Sequence, residues 1–189
     1  MSSLNYLINV ESFVKQYNQV KIEIENLLIT NRITLLIGEN GCGKSTILKA
    51  IAELITFEGE IQITKSVKYM PEKSQFPFDV TVYQFLSSLC ALNDSSFDDM
   101  MSLVLKFELE DKLNEKLSKL SKGMKAKVDL INVLNSKETI FLLDEPLSGL
   151  DFKSVELLIQ YIKQSPKNFV IASHHLGRFH ELNADVISL

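Results

Sequence analysis

Near the start of the chain, apolar and polar residues alternate in two runs, Leu7-Ile8-Asn9-Val10 and Val20-Lys21-Ile22-Glu23-Ile24. A period of two buries one face of a strand and wets the other, so Leu7 to Ile29 predicts half-buried antiparallel strands in a small sheet. Ile33-Thr34-Leu35-Leu36-Ile37 is apolar almost throughout, and a glycine-rich turn and a helical pattern from about Lys44 to Leu54 follow it. A strand buried on both faces that feeds a tight loop and a helix predicts an α/β unit with a parallel strand. Gly59 to Ile63 and Val67 to Met70 read as short strands, with Pro71 and Pro77 marking a loop. Thr81 to about Leu134 carries apolar residues at three- and four-residue spacings, as in Val82-Phe85-Leu86-Leu89 and Phe97-Met101-Val104-Leu105, and predicts an all-helical insert. Alternation then returns: strand Thr139 to Leu143, helix Lys153 to Ile162, strand Phe169 to Ala172, helix Leu176 to Leu182 and strand Val186 to Leu189.

Composition narrows this picture. With 189 residues, 46% of them apolar and 23% charged, the chain can bury one sizeable core, so a single domain is expected. Its longest apolar runs, Ile33 to Ile37 and Ile140 to Leu143 among them, fall far short of the roughly 20 residues that cross a bilayer. Met1 to Tyr6 has no secretory pattern, so a cytoplasmic setting is the expectation. A net charge of −4 argues against a general affinity for nucleic acid, and no nucleic-acid partner is expected. Lys122, Lys125 and Lys127 form a local basic cluster that reads as a solvated helix face. Cys42 and Cys90 lack metal-ligand or CxxC spacing and read as small apolar fillers.

The chemistry sits in two places. Gly38-Glu39-Asn40-Gly41-Cys42-Gly43-Lys44-Ser45-Thr46 matches the phosphate-binding pattern GxxxxGK[ST], between a predicted buried strand and a predicted helix. Glycines let successive backbone N–H groups curl around phosphates, and the helix adds its positive end. Asn40 to Thr46 are therefore candidate ATP-binding residues, with Lys44 neutralising the β- and γ-phosphates and the Ser45 hydroxyl a candidate Mg²⁺ ligand. The second place is Thr139-Ile140-Phe141-Leu142-Leu143-Asp144-Glu145, a strand ending in two carboxylates. Asp144 is a candidate Mg²⁺ ligand, and Glu145 a candidate to orient or deprotonate the attacking water.

Taken in order, these elements and several weaker ones resemble the nucleotide-binding domain of ABC (ATP-binding cassette) ATPases over nearly the whole chain. Leu120-Ser121-Lys122-Gly123-Met124 resembles the LSGGQ signature, Ser148-Gly149-Leu150-Asp151 the D-loop, and His174 the switch histidine. Tyr17 stands where the family stacks an aromatic on adenine, and Glu72 in Tyr69-Met70-Pro71-Glu72 where it has the Q-loop glutamine. His175 competes with His174, but counting from His174 puts Leu176, Phe179 and Leu182 at the family's apolar positions. Ser121 ahead of a helical run also reads as an N-cap, which would set Ser121 and the Gly123 amide at a helix N-terminus facing an anion.

The resemblance implies an α/β P-loop fold of ABC ATPase type. Residues 1–80 and 135–189 would form a mainly parallel core with an antiparallel β subdomain, and about 81–134 an inserted helical subdomain. It implies hydrolysis of ATP with Mg²⁺, catalytic roles for Glu145 and His174, a metal contact from Glu72, and a trans-nucleotide role for Ser121, Lys122, Gly123 and Met124 beside the D-loop Asp151. It also implies a second ATPase subunit, identical or different, and membrane permease subunits that hold the pair at the inner face of the membrane. Lys122 and Met124 in the signature, with Glu72 in the Q-loop, are closer to ATPases of bacterial ABC-2 type exporters than to those of importers. The competing expectation is a permease-independent member, such as an iron-sulfur cluster assembly ATPase. No NKxD element favours GTP.

Overall fold

The computed structural model describes residues 6–189 except 19, 74, 78 and 175. The chain divides into two compact units: the first runs to Tyr69 and takes in Glu138–Glu145 and Pro166–Leu189, and the second comprises Met70–Lys137 and Pro146–Ser165.

The first unit carries two sheets. Strands β1 (Ile8–Tyr17), β2 (Val20–Ile29) and β4 (Glu58–Ile63) form an antiparallel sheet in the order β2-β1-β4. The period-two expectation holds: Ile8, Val10 and Phe13 of β1 and Ile22 and Ile24 of β2 are buried, while Glu23 and Glu25 are exposed. The other sheet has the order β5-β6-β7-β3-β8, from β5 (Val67–Met70), β6 (Ile140–Asp144), β7 (Asn168–Ser173), β3 (Ile33–Ile37) and β8 (Asp185–Ser188). β3 runs parallel to β7 and β8, and β6 parallel to β7.

Helix α1 (Lys44–Ile51) packs on β6 and β7 through Ile47, Leu48 and Ile51. These residues, Ile140 and Leu142 on one face of β6, and Val170 and Ala172 of β7 share one core cluster with the buried faces of β1 and β2. Phe141 and Phe169 meet edge-on at 5.3 Å on the opposite face of the parallel sheet. Both faces of β6 are buried, which is why Ile140 to Leu143 read as an unbroken apolar run.

The second unit is helical: α2 (Val82–Leu92), α3 (Phe97–Lys106), α4 (Lys122–Leu134) and α5 (Phe152–Gln164). The run expected to be helical from Thr81 to Leu134 is broken. Thr81 and Gln84 form a capping box at the start of α2, Ser96 caps α3, and left-handed residues at Asp94 and Glu108 close the two helices. Two 3-10 turns precede α4.

In the first unit, the helix expected over Leu176 to Leu182 is a 3-10 segment, Gly177–Leu182. Apolar residues at 176, 179 and 182 recur every third position, which suits three residues per turn better than 3.6, and Phe179 and Leu182 are the buried ones. Among the described residues no helix is long and apolar enough to cross a membrane.

Candidate nucleotide site

Because β3, β6 and β7 are parallel neighbours, their C-terminal ends emerge at one edge of the sheet: Ile37 pairs with Ser173, and Asp144 with Ala172. Topology alone therefore brings the loop after β3, the carboxylates after β6 and the histidine after β7 together, at the sheet edge where α/β folds place ligands.

The loop from Gly38 to Gly43 leads directly into α1, whose N-cap is Gly43 at φ 113°. A β-carbon at Gly43 would lie 2.6 Å from Ile22 Cγ2, so both the backbone conformation and the close approach of β2 demand glycine. Lys44 is 7% exposed, and its ammonium donates to the carbonyls of Gly38 (2.7 Å) and Glu39 (2.9 Å), clasping the loop. Asn40 and Gly41 are exposed, and Cys42, Ser45 and Thr46 half-buried. Cys42 is a free thiol, and Cys90 is free and buried as expected of a filler.

Asp144 is 2% exposed, and a carboxylate so buried needs partners. Ser45 Oγ donates to its Oδ1 at 2.9 Å and the Tyr69 hydroxyl to its Oδ2 at 3.1 Å. Adjacent ligands of an octahedral Mg²⁺, each about 2.0–2.1 Å from the ion, lie about 2.9 Å apart. The Ser45 and Asp144 oxygens have that separation and are hard donors of the kind Mg²⁺ takes, so the pair fits the cation. Tyr69 escaped the sequence reading; the only signal was an aromatic residue on a short strand ahead of Glu72.

Glu145 leaves β6 in the left-handed region, φ 47°, a conformation costing of order 1–3 kcal/mol that concentrates at functional sites. Its N–H is held by the Ala172 carbonyl at 3.0 Å. Its Oε1 accepts from the His174 backbone N–H at 2.7 Å and faces His174 Nδ1 at 2.9 Å, while Ser173 Oγ donates to Oε2 at 3.4 Å. With a carboxylate as partner, Nδ1 is the ring nitrogen that carries a proton in this contact. Of the two competing histidines, His174 makes this contact; His175 lies outside the described residues. Tyr17 ends β1 44% exposed, with the Lys15 ammonium 5.6 Å from its ring centre.

The remaining candidates belong to the second unit. Glu72 is exposed, with Lys73 Nζ 3.7 Å from its carboxylate. Ser121 caps α4, its hydroxyl accepting from the Met124 N–H at 3.2 Å, which leaves its own proton free to be donated. Lys122 is exposed and donates to Ser148 Oγ at 3.3 Å. Gly123 and Met124 lie in the first turn. Asp151 caps α5 through Ser154 N–H at 2.8 Å and pairs with Lys127 at 2.7 Å. Lys127 is thus not on the solvated face its cluster suggested: it is 9% exposed and ion-paired. The Lys127 hydrogen bond, and after it the Ser154 N–H, hold the Asp151 carboxyl at about 2. Since that is below its ordinary value, the pair stabilises the fold above the ordinary carboxylate range and is lost as pH falls through about 2.

The family model described as ABC transporter matches residues 22–148. An uncharacterized ABC transporter ATP-binding protein of Methanocaldococcus jannaschii is 30% identical over 96% of this chain and 73% of its own length. The zinc import ATP-binding protein ZnuC of Rickettsia bellii is 37% identical over 75% of this chain and 64% of its own. A relative from Treponema denticola, of which this chain spans 42%, is also 30% identical. Among solved structures, the ATP binding subunit of an ABC transporter superposes with a TM-score of 0.84 at 23% identity, over 97% of this chain and 85% of that one, which speaks to the fold. The chain therefore belongs to the ABC transporter family of ATP-binding proteins, an α/β P-loop fold whose members are ATPases.

Proposed function

We propose that this chain binds ATP with Mg²⁺ and hydrolyses it as one of two ATPase subunits that drive transport across a membrane. The observation that carries this is the 2.9 Å pairing of Ser45 at the head of α1 with Asp144 at the end of β6, 99 residues apart and beside the clasped Lys44. In this reading the backbone of Asn40 to Thr46 would cradle the phosphates, Tyr17 would stack on the base, and Ser45 and Asp144 would hold Mg²⁺, with Glu72 a further candidate ligand. When bound there, the cation would offset charge that develops on the phosphates. Glu145, oriented by His174, takes a proton from water as the water oxygen bonds to the γ-phosphorus and the bond to the β-phosphate oxygen breaks.

Ser121 to Met124 of one chain would close over the nucleotide of the other, with Asp151 in the adjoining D-loop. Neither chain alone completes a site, and ATP favours the closed pair differentially. Residues 1–189 act here as one ABC ATPase domain, with about 81–134 as its helical subdomain, docked to permease subunits at the inner face of the membrane. Lys122, Met124 and Glu72 favour export. The 37% identity to a zinc import protein favours a second reading, import. Reconstitution with the permease that co-purifies, and the direction of substrate movement in vesicles, decides between them.

Light scattering of Glu145→Gln protein with and without Mg-ATP tests the paired mechanism. The expected result is a shift from monomer to dimer. An unchanged mass, in the presence of every subunit that co-purifies, would refute it.

A further inference from the structure

We propose that Lys127 is a positioning residue that ties the start of α4 to the segment Ser148–Asp151, so that the two loops this chain offers to the other subunit's nucleotide behave as one block. The inference rests on the paired mechanism above, and it concerns a residue outside every motif that suggested it.

Three contacts carry the proposal. Lys127 Nζ lies 2.7 Å from Asp151 Oδ2, with the lysine side chain 11% exposed. An ammonium so covered is costly without its carboxylate, so the pair is held together from both sides. The other carboxylate oxygen, Oδ1, accepts the Ser154 N–H at the start of α5. Asp151 therefore bridges two helices, α4 and α5, at the point where the D-loop ends.

The second contact is backbone packing. A β-carbon on Gly123 would lie 2.7 Å from the Gly149 carbonyl oxygen, so the first turn of α4 sits directly on the loop with no room for a side chain. Gly123 and Lys127 are four residues apart on the helix and share a face, which makes that stripe of α4 the surface that carries the loop. The third contact is Lys122 Nζ to Ser148 Oγ at 3.3 Å, on the exposed rim.

A rigid block has a functional meaning. Ser121 and the amide of Gly123 can meet a phosphate only where α4 points them, and the loop from Ser148 sets where α4 begins relative to α5. Loss of the Lys127 charge would leave the P-loop untouched and the trans-acting loops free to separate.

The experiment uses Lys127→Met and Lys127→Arg, each in the otherwise unaltered protein and in the Glu145→Gln background. For Lys127→Met, affinity of the monomer for Mg-ATP should stay within about twofold, while ATP-driven dimerisation weakens at least about tenfold, the scale of a partly buried ion pair. kcat should fall by a similar factor with KM little changed, and hydrogen exchange at 148–151 should rise without a general loss of protection. Lys127→Arg, which keeps the charge, should restore all three. If Lys127→Met fails to fold, Asp151→Asn keeps a competent helix cap while removing the charge, and the same pattern is expected.

Dimerisation and turnover equal to the parent in Lys127→Met, or in Asp151→Asn, would overturn the proposal. So would a defect that Arg does not relieve. A Glu145→Gln parent that does not dimerise overturns the paired mechanism, and the role of Lys127 with it; a parent that dimerises beside an unimpaired Lys127→Met overturns Lys127 alone.

Discussion

Two acids that each meet a nitrogen-bearing side chain, one in each unit, show how differently a carboxylate can be used. In the first unit Glu145 meets His174 at 2.9 Å, on a residue held in a left-handed conformation and backed by the Ala172 carbonyl. In the second, Asp151 meets Lys127 at 2.7 Å in a relaxed extended conformation, where it caps a helix. The first carboxylate stands on strained backbone and is held by Ser173 and His174 at the end of a neighbouring strand, while the second stands on relaxed backbone, caps α5 and ties it to α4. Backbone strain marks a group held for reaction; a relaxed helix cap tied to a second helix marks a scaffold.

If that contrast is right, substitutions in the first unit should separate binding from turnover, and the largest effect comes from the residue that does both. Lys44→Ala removes an ammonium that clasps two loop carbonyls, and it should take ATP affinity below the range of a calorimetric titration. Unchanged affinity would rule out the phosphate loop. Glu145→Gln keeps shape and loses the base, so turnover should drop by roughly 10² to 10⁴ while ATP still binds. Near-normal turnover in that variant would assign Glu145 to the scaffold class with Asp151.

Tyr69→Phe sharpens the comparison from a different side. It strips one hydroxyl donor from a carboxylate that is 2% exposed, while Ser45 still donates to the other oxygen. A hydrogen bond to a charged group is worth about 1.5–3 kcal/mol, and stability measured by urea unfolding should fall by about that much. The Mg²⁺ concentration needed for half-maximal ATP binding should rise as well, because Asp144 loses one of the two hydroxyls that orient it. A variant that loses stability with no change in Mg²⁺ dependence would make Tyr69 a purely structural partner.

What the sequence made legible follows from the range of the interactions. The strand-loop-helix around Lys44 is a local unit, and its glycines and apolar run are contiguous. The burial of β6 on both faces is written in its composition, and the parallel arrangement of β3, β6 and β7 follows from the βα alternation. Tyr69 and Asp144 are 75 residues apart, and nothing local to either names the other. The role of Lys127 is hidden for a related reason: three lysines within six residues look like a wet face, yet α4 turns through about 100° per residue, so Lys122 and Lys127 are far apart around the helix while Lys127 stacks over Gly123. Periodicity tells which residues share a face, and only the partner element decides whether that face is wet.

Ser121 gives the smallest effect and the cleanest separation. Its hydroxyl oxygen accepts the Met124 N–H, and losing an N-cap oxygen to alanine costs about 1 kcal/mol, whereas glycine at an N-cap costs only a few tenths. In a chain of this size about 1 kcal/mol lowers Tm by about 2–4 °C, so Ser121→Ala should melt that much earlier and Ser121→Gly close to the parent. Both lose the hydroxyl proton that would meet the other subunit's phosphate. If the cap is only a cap, the Gly variant should hydrolyse ATP as the parent does. If Ser121 also serves the second nucleotide, Ala and Gly should lose turnover alike despite their different melting points, and the equality of that loss is what places Ser121 with the groups that act across the pair.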